Sequence, residues 1–407
     1  MDAASVSKLL SPDGWALLNS LPPYDEKQAM ALASRLRAEG VDPDLAAAAL
    51  TQSRLRAKAH AKLGDFADGM LFTPDGVEQA TRLVVAALHA RRYLAAGVTK
   101  VADLTSGIGA DALAFAGVGL RVLATDVDEI TAALATVNLR HFPEAEVRHA
   151  DGLALDLAAE GVDGVYADPA RRTRGGRRVF DPAAYAPPLD AVWALRDQVP
   201  ALGIKVGPGI PHQGLPEDAE TQWVSVDGDV VEAGLWFGPL AADGPGRSAL
   251  VLTTRGGVTS SRTLRTDGDA DLVPDVGPVG SYLYEPDGAV IRAGLVAHAA
   301  AELGGRLLDR TIAYVTTDQQ APAPAPGIAP VATGYRVLDV MPFNLKRLKA
   351  YLRERGVGRL TIKKRGTAVT PEQLRSQLAP KGDAEATLVL TRVGGGQHVI
   401  VVERLAG

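Results

Sequence analysis

Val101-Ala-Asp-Leu-Thr-Ser-Gly-Ile-Gly-Ala-Asp111, followed by Val122-Leu-Ala-Thr-Asp126, decides the reading of this chain. An apolar strand runs into a glycine turn, the turn opens a helix near 110–117, and the next strand ends on a carboxylate. Gly107 and Gly109 stand where the backbone must turn sharply and approach a ligand, which residues lacking Cβ do at low steric cost. The amides at the start of the following helix favour negative charge or hydrogen-bond acceptors. Asp126 lies nineteen residues beyond Gly107, the usual place for an acid that accepts hydrogen bonds from ribose hydroxyls. The pattern points to a nucleoside-bearing cofactor. A dinucleotide fingerprint would place its third glycine at Ala112, which its looser form allows. Asp103 before the turn and Asp111 inside it form an acidic mouth that repels a diphosphate and suits a cationic cofactor.

Outward from this turn the pattern alternates. Strands are expected at 100–104, 121–125, 146–149, 163–167, 202–206, 222–226 and 248–253, with helices near 110–117, 128–140 and 187–198. Such alternation implies an α/β fold with a mostly parallel sheet covered on both faces. Asp229 to Phe237 reads equally as helix or strand. Residues 1–74 read as a helical region, with candidates opening at Ser11, running from Asp25 to Gly40 and from Pro43 to Leu63. A further helix is expected from Asp75 to Leu94. Residues 255–280 read as an extended loop, 281–318 as a strand-helix-strand unit, and Ala321-Pro-Ala-Pro-Ala-Pro-Gly as a semi-rigid linker or surface loop. The rest reads as β-α-β-α-β-β, a small α+β domain spanning 331–407.

Composition narrows the chemistry. At 407 residues the chain is long enough for two or three domains with a core. Hydrophobic content of 46% and a mean hydropathy of +0.04 fit a soluble globular protein. No apolar run approaches the roughly 20 residues that span a bilayer. Met1-Asp-Ala-Ala-Ser lacks a basic-then-apolar signal pattern, so the expected location is cytoplasmic and no membrane partner is expected. The chain has no cysteine, which excludes disulfides and thiolate metal sites, and its scattered histidines lack metal-ligand spacing, so no metal is expected. Trp223 and Trp236 read as core. The net charge of −5 hides an asymmetry: residues 331–407 hold five Lys and nine Arg against two Asp and four Glu, a net +8, leaving −13 for the remainder. A small basic domain on an acidic body suggests a polyanionic partner.

Residues 75–255 resemble the class I S-adenosylmethionine (SAM)-dependent methyltransferases, with four motifs in the expected order. Asp103-Leu-Thr105-Ser-Gly107-Ile-Gly109 is similar to the first motif, which holds the methionine moiety, and Asp111 adjoins it. Asp126-Val127 is similar to the ribose-binding motif, and His149-Ala-Asp151-Gly152 to the one that meets adenine. Asp168-Pro169-Ala170-Arg171-Arg172 is similar to the fourth, at the end of the fourth strand. The resemblance implies a Rossmann-like, seven-stranded sheet whose last strand runs antiparallel, spanning 75–320, with SAM as cofactor. Residues 331–407 resemble the THUMP-like domain at the C-terminus of some bacterial methyltransferases, and THUMP domains are associated with RNA.

In amine-directed members the fourth motif carries Asn or Asp, two prolines and an aromatic that stacks on the base. Here Asp168 and Pro169 remain, while Ala170 and Arg171 replace the second proline and the aromatic. Some guanine-N2 methyltransferases of ribosomal RNA resemble this chain in two places, an Asp-x-Thr-x-Gly-x-Gly first motif, as from Asp103 to Gly109, and an Asp-Pro without a second proline, as at Asp168-Pro169. The resemblance thus implies an RNA-modifying transferase acting on an exocyclic base nitrogen, guanine N2 foremost, with Asp168, Pro169, Arg171 and Arg172 in catalytic roles. Methylation at pyrimidine C5 needs a cysteine adduct and is excluded. Arg174, Arg177 and Arg178 continue an arginine run suited to bidentate phosphate contacts. Lys363, Lys364 and Arg365 give the C-terminal domain a basic strand. Lys205, ending the fifth strand, reads either as a phosphate contact or as a structural strand end. Two alternatives stay open: a small-molecule or protein methyltransferase whose basic domain serves another purpose, and, through the altered Ala170-Arg171, a non-catalytic RNA-binding protein with a degenerate fold.

Overall fold

The computed structural model describes residues 3–171, 184–266 and 272–405, which fall into two compact units. The first comprises Met1–Val206 with Leu235–Gly244, and the second Gly207–Gly234 with Pro245–Gly407.

The first unit opens with helices α1 (Ala3–Leu10), α2 (Pro12–Ser20), α3 (Ala29–Ala38) and α4 (Pro43–Leu63). Ser11 and Asp42 cap α2 and α4 through their side chains, and proline follows each at the first helical position. Then come α5 (Pro74–Gln79), α6 (Leu83–Ala95), β1 (Lys100–Asp103), α7 (Ala110–Gly117), β2 (Arg121–Asp126), α8 (Glu129–Asn138), β3 (Ala145–His149) and β4 (Gly164–Ala167). The short β5 (Ala170–Arg171) and β6 (Tyr185–Ala186), α9 (Leu189–Ala194) and β7 (Leu202–Val206) complete the order.

Strands β7, β4, β1, β2 and β3 lie side by side in that order, all parallel. Their carboxyl ends therefore share one edge. β1 is central, and Val101 and Ala102 are wholly buried, as a strand covered on both faces requires. Tyr93 of α6, Phe115 of α7, Tyr166 of β4 and Trp236 pack edge to face beside it, with ring centroids 5.0–6.4 Å apart. Trp236 is 2% exposed, as expected of a core residue.

The helix expected over Asp75–Leu94 is broken. Ala80 and Arg82 have extended backbones (ψ 133° and 136°) between α5 and α6. Two side chains explain the break: Lys62 Nζ donates to the Ala80 carbonyl at 2.9 Å, and the Thr81 hydroxyl donates to Asp111 Oδ2 at 2.6 Å. Tertiary hydrogen bonds override the helical periodicity here. The expected helix at 187–198 is a six-residue α9 followed by a 3₁₀ turn, Leu195–Asp197.

The second unit contains β8 (Glu220–Val226), most of β9 (Asp229–Trp236), β10 (Gly246–Arg255) and β11 (Val258–Arg265). Asp229–Trp236, left undecided by sequence, is a strand. Asp227 and Gly228 both have positive φ (53° and 90°), the turn that joins hairpin strands with matching twist. Gly256 and Gly257 (φ 56° and 80°) make a second such turn, so the expected loop at 255–280 contains β11, antiparallel to β10. The expected seventh strand, 248–253, lies within β10, which pairs parallel with β8 rather than antiparallel.

A second sheet runs in the order β13-β14-β12-β15-β18-β17-β16. Its members are β12 (Tyr282–Pro286), β13 (Arg306–Asp309), β14 (Ile312–Thr317), β15 (Ala332–Pro342), β16 (Val357–Lys364), β17 (Ala384–Val393) and β18 (Gly396–Arg404). The stretch 281–318 holds two helices, α10 (Gly288–Arg292) and α11 (Val296–Glu302), and not one, because the chain turns at Gly294 (φ +74°). Beyond β15, helices α12 (Leu345–Glu354) and α13 (Pro371–Leu378) give the expected β-α-β-α-β-β order. Leu348, Leu352, Leu374 and Leu378 pack on Val399 and Val401, while Ile400 and Val402 join a separate cluster with Tyr314 and Tyr335, as the strand's period of two demands.

Candidate functional site

The carboxyl edge of the parallel strands opens into a cavity of about 450 Å³ within the first unit. The β1 end supplies Asp103 through Ile108, β2 supplies Asp126 and Val127, and the region after β3 supplies Asp151 and Leu153. Tyr166, Asp168, Ala170 and Ala186–Pro188 close one side, and Gly76 and Gln79–Thr81 another. Its size is that of a nucleoside-scale ligand pocket.

The glycine turn is built as its sequence requires. Gly107 and Gly109 have φ of +54° and +84°, left-handed values that L-residues avoid. The Gly107 amide donates to Asp126 Oδ2 at 3.0 Å, and the Asp128 amide donates to Oδ1 at 2.9 Å. Behind the turn, the buried Asn138 amide accepts from the Leu71 amide at 2.7 Å and donates to the Leu71 and Ile108 carbonyls at 3.0 and 2.9 Å. Gly152 sits under the β1 end, where a Cβ would lie 2.7 Å from the Leu104 carbonyl oxygen.

The electrostatics are uneven. Asp103 is 1% exposed, accepts only a long contact from the Thr105 amide (3.4 Å), and its buried Oδ2 has no hydrogen-bond partner among the described residues. Burial first, and then the nearby Asp111 charge, push its carboxyl well above the usual range. Burial would push Asp111 up too, but His89 (Nδ1 3.0 Å from Oδ1), Lys205 and the Thr81 hydroxyl outweigh it and hold that carboxyl low. Asp126 is raised by burial, with the Asp128 and Gly107 amides opposing. The pocket thus offers an unsatisfied buried acid at one end and a half-buried acid at the next strand end, an arrangement that favours a cation carrying hydroxyl donors.

Asp168 joins this pocket from the end of β4. Its amide donates to Thr105 Oγ1 at 2.6 Å, so the first and fourth motifs are hydrogen-bonded to each other. Lys205 Nζ lies 2.5 Å from Asp168 Oδ2 and 2.9 Å from Thr81 Oγ1. Of the residues singled out from sequence, Asp103, Thr105, Gly107, Asp111, Asp126, Val127, Asp151 and Asp168 line the cavity. Gly109, Gly152 and Pro169 stand behind the lining. The Arg171 side chain and Arg172, Arg174, Arg177 and Arg178 lie outside the described residues.

In the second unit Lys363 and Arg365 both meet Glu285, at 2.6 and 3.4 Å, while Lys364 is exposed. Among the described residues no cluster of His, Asp or Glu could hold a metal, and no helix is long and apolar enough to cross a membrane. Sequence reasoning missed Thr81, His89 and Asn138. Thr81 was hidden inside a helical pattern, and the other two carry no local signal.

The family described as THUMP domain-like matches residues 332–404, and a domain of unknown function matches residues 2–59. An uncharacterised S-adenosylmethionine-dependent methyltransferase from Mycobacterium tuberculosis (strain CDC 1551 / Oshkosh) is 35% identical over 354 residues, covering 84% of this chain and 91% of its own. Its counterpart in strain ATCC 25618 / H37Rv matches equally. The crystal structure of a candidate methyltransferase from Porphyromonas gingivalis W83 shares the fold, with a TM-score of 0.71 at 21% identity over 95% of this chain and 100% of that one. The chain belongs to the family of S-adenosylmethionine-dependent methyltransferases.

Proposed function

We propose that the chain methylates an exocyclic nitrogen of an RNA base, with guanine N2 as the foremost target. The observation that carries this reading is the Asp168–Thr105 hydrogen bond, which sets the fourth-motif acid beside the cofactor turn. The pocket residues fit the cofactor: the orphaned Asp103 Oδ2 suits the ammonium, Asp126 the ribose hydroxyls, and Asp151 the adenine amine. Bound SAM supplies a sulfonium-activated methyl group. Asp168 would accept a hydrogen bond from the target amine and aim its lone pair at that methyl, so catalysis is mostly positioning. No strong base is needed, because the nitrogen sheds its proton after transfer. The THUMP-like match and the +8 charge of residues 331–407 support RNA as the acceptor, and part of that charge is exposed on α12 as Lys346, Arg347, Lys349 and Arg353. In this reading the cavity of the first unit carries transfer, 331–407 binds RNA, and the 1–74 helices buttress the first unit.

The test is Asp168→Ala in the host cell, with modified nucleosides mapped in its RNA. Loss of one N-methylated nucleoside is expected, and an unchanged modification profile would overturn the role of Asp168. The pairing of Lys363 and Arg365 with Glu285 favours a second reading, a small-molecule or protein acceptor. RNA affinity that falls steeply with salt supports the first reading, and absence of RNA binding at low salt supports the second.

A further inference from the structure

We propose that Lys205 is a positioning residue for methyl transfer, its ammonium bridging the Asp168 carboxylate and the Thr81 hydroxyl so that the carboxylate faces the acceptor amine. This rests on the reading of the cavity as a transfer site. Three separate parts of the first unit meet at the clamp: Lys205 from β7, Asp168 from the end of β4, and Thr81 from the break between α5 and α6. The Lys205 side chain is 12% exposed, so its charge is largely withdrawn from water and screened little by salt. Thr81 accepts from Lys205 and its hydroxyl donates a hydrogen bond to Asp111 Oδ2 at 2.6 Å, a carboxylate that His89 holds from the other side. Asp168 is therefore held at its amide by Thr105 and at its carboxylate by Lys205.

The surroundings explain why a cation is needed there. Asp103 on β1 is electrostatically coupled to Asp168, Asp111 and Asp126, so the acid at the end of β4 shares a rim with three others. His89 and Tyr166 lie behind Asp111, and among the described residues Lys62 is electrostatically coupled to both Lys205 and Arg82. Without the ammonium, Asp168 would face its acidic neighbours with less compensation. It would take up a proton more readily and lose its fixed rotamer, and a protonated acid is a poorer acceptor for the amine.

The test uses the full-length protein with Lys205→Met, Lys205→Gln and Lys205→Arg. Methyl transfer is read with isotope-labelled SAM on total RNA from a host strain lacking this gene. In Lys205→Met, kcat is expected to fall by about 100-fold, as misplacement of a catalytic group does. Acceptor KM and SAM affinity should change little, and the acid limb of kcat should move to higher pH. Lys205→Arg, which keeps the charge, should recover part of the loss. Should the Met variant fail to fold, the near-isosteric Gln variant carries the same expectation. A second measurement needs no substrate: the ¹³C carboxyl resonance of Asp168, assigned by its absence in Asp168→Asn, is followed against pH. Its midpoint should rise by about one pH unit or more when Lys205 is neutralised. An unmoved midpoint, or a kcat within about threefold of wild type, overturns the proposal. Absence of transfer by the wild-type protein instead counts against the RNA reading, and the carboxyl titration still decides the role of Lys205.

Discussion

Replacing Asp103 with Asn should make the cofactor-free protein more stable and the cofactor-bound protein weaker. Asp103 is 1% exposed, and its Oδ2 has no hydrogen-bond partner among the described residues. A buried acceptor left unsatisfied costs about 1–3 kcal/mol, more when charged. Asparagine keeps an oxygen for the Thr105 amide and removes the buried charge. The sign with pH follows from the raised carboxyl. Folding makes this acid hold its proton more tightly than the unfolded chain does. Its cost is therefore absent below the unfolded value of about 4 and grows as pH rises toward the folded one. The variant should melt several degrees higher at neutral pH, at roughly 2–4 °C per kcal/mol for a unit of this size, and the gain should vanish near pH 4. SAM binding should move the other way. A charge-assisted hydrogen bond from the ammonium is worth about 1.5–3 kcal/mol, so SAM affinity should drop about 10- to 150-fold. Thermal melts without ligand and calorimetric titration with SAM read the two effects. Wild-type SAM affinity in Asp103→Asn, or a lower melting temperature at neutral pH, would refute the reasoning.

Further outcomes follow from the same geometry. Because the ammonium favours ionised Asp103, SAM affinity should rise with pH and binding should release a proton, visible as a buffer-dependent heat that Asp103→Asn abolishes. Asn138→Ala strands the Leu71 amide and the Leu71 and Ile108 carbonyls behind the cofactor turn, so denaturant unfolding should show a loss of about 2 kcal/mol or more. Glu285→Gln releases Lys363 and Arg365, and if RNA binds this domain its affinity at low salt should rise, with a log–log salt slope steeper by about 1. An unchanged slope would place the RNA contacts elsewhere.

The sequence by itself determined the glycine turn. Gly107, Gly109 and the strand-ending Asp126 are a local code, because backbone handedness and strand length act over a few residues. The C-terminal β-α-β-α-β-β order was legible for the same reason, through periods of 2 and 3.6. The hairpin turns Asp227-Gly228 and Gly256-Gly257 are local too, yet from sequence β9 is undecided and the stretch that holds β11 reads as a loop. The tertiary structure alone decided what surrounds Asp168. Thr81 is thirty residues from Asp111, and Lys205 is 124 from Thr81, yet all three share one hydrogen-bonded chain. Parallel strands bring their carboxyl ends to one edge only after each crossover helix has packed back on the sheet. Which side chains converge there, and which buried carboxylate oxygen is left without a partner among the described residues, is therefore a property of packing that no local pattern encodes.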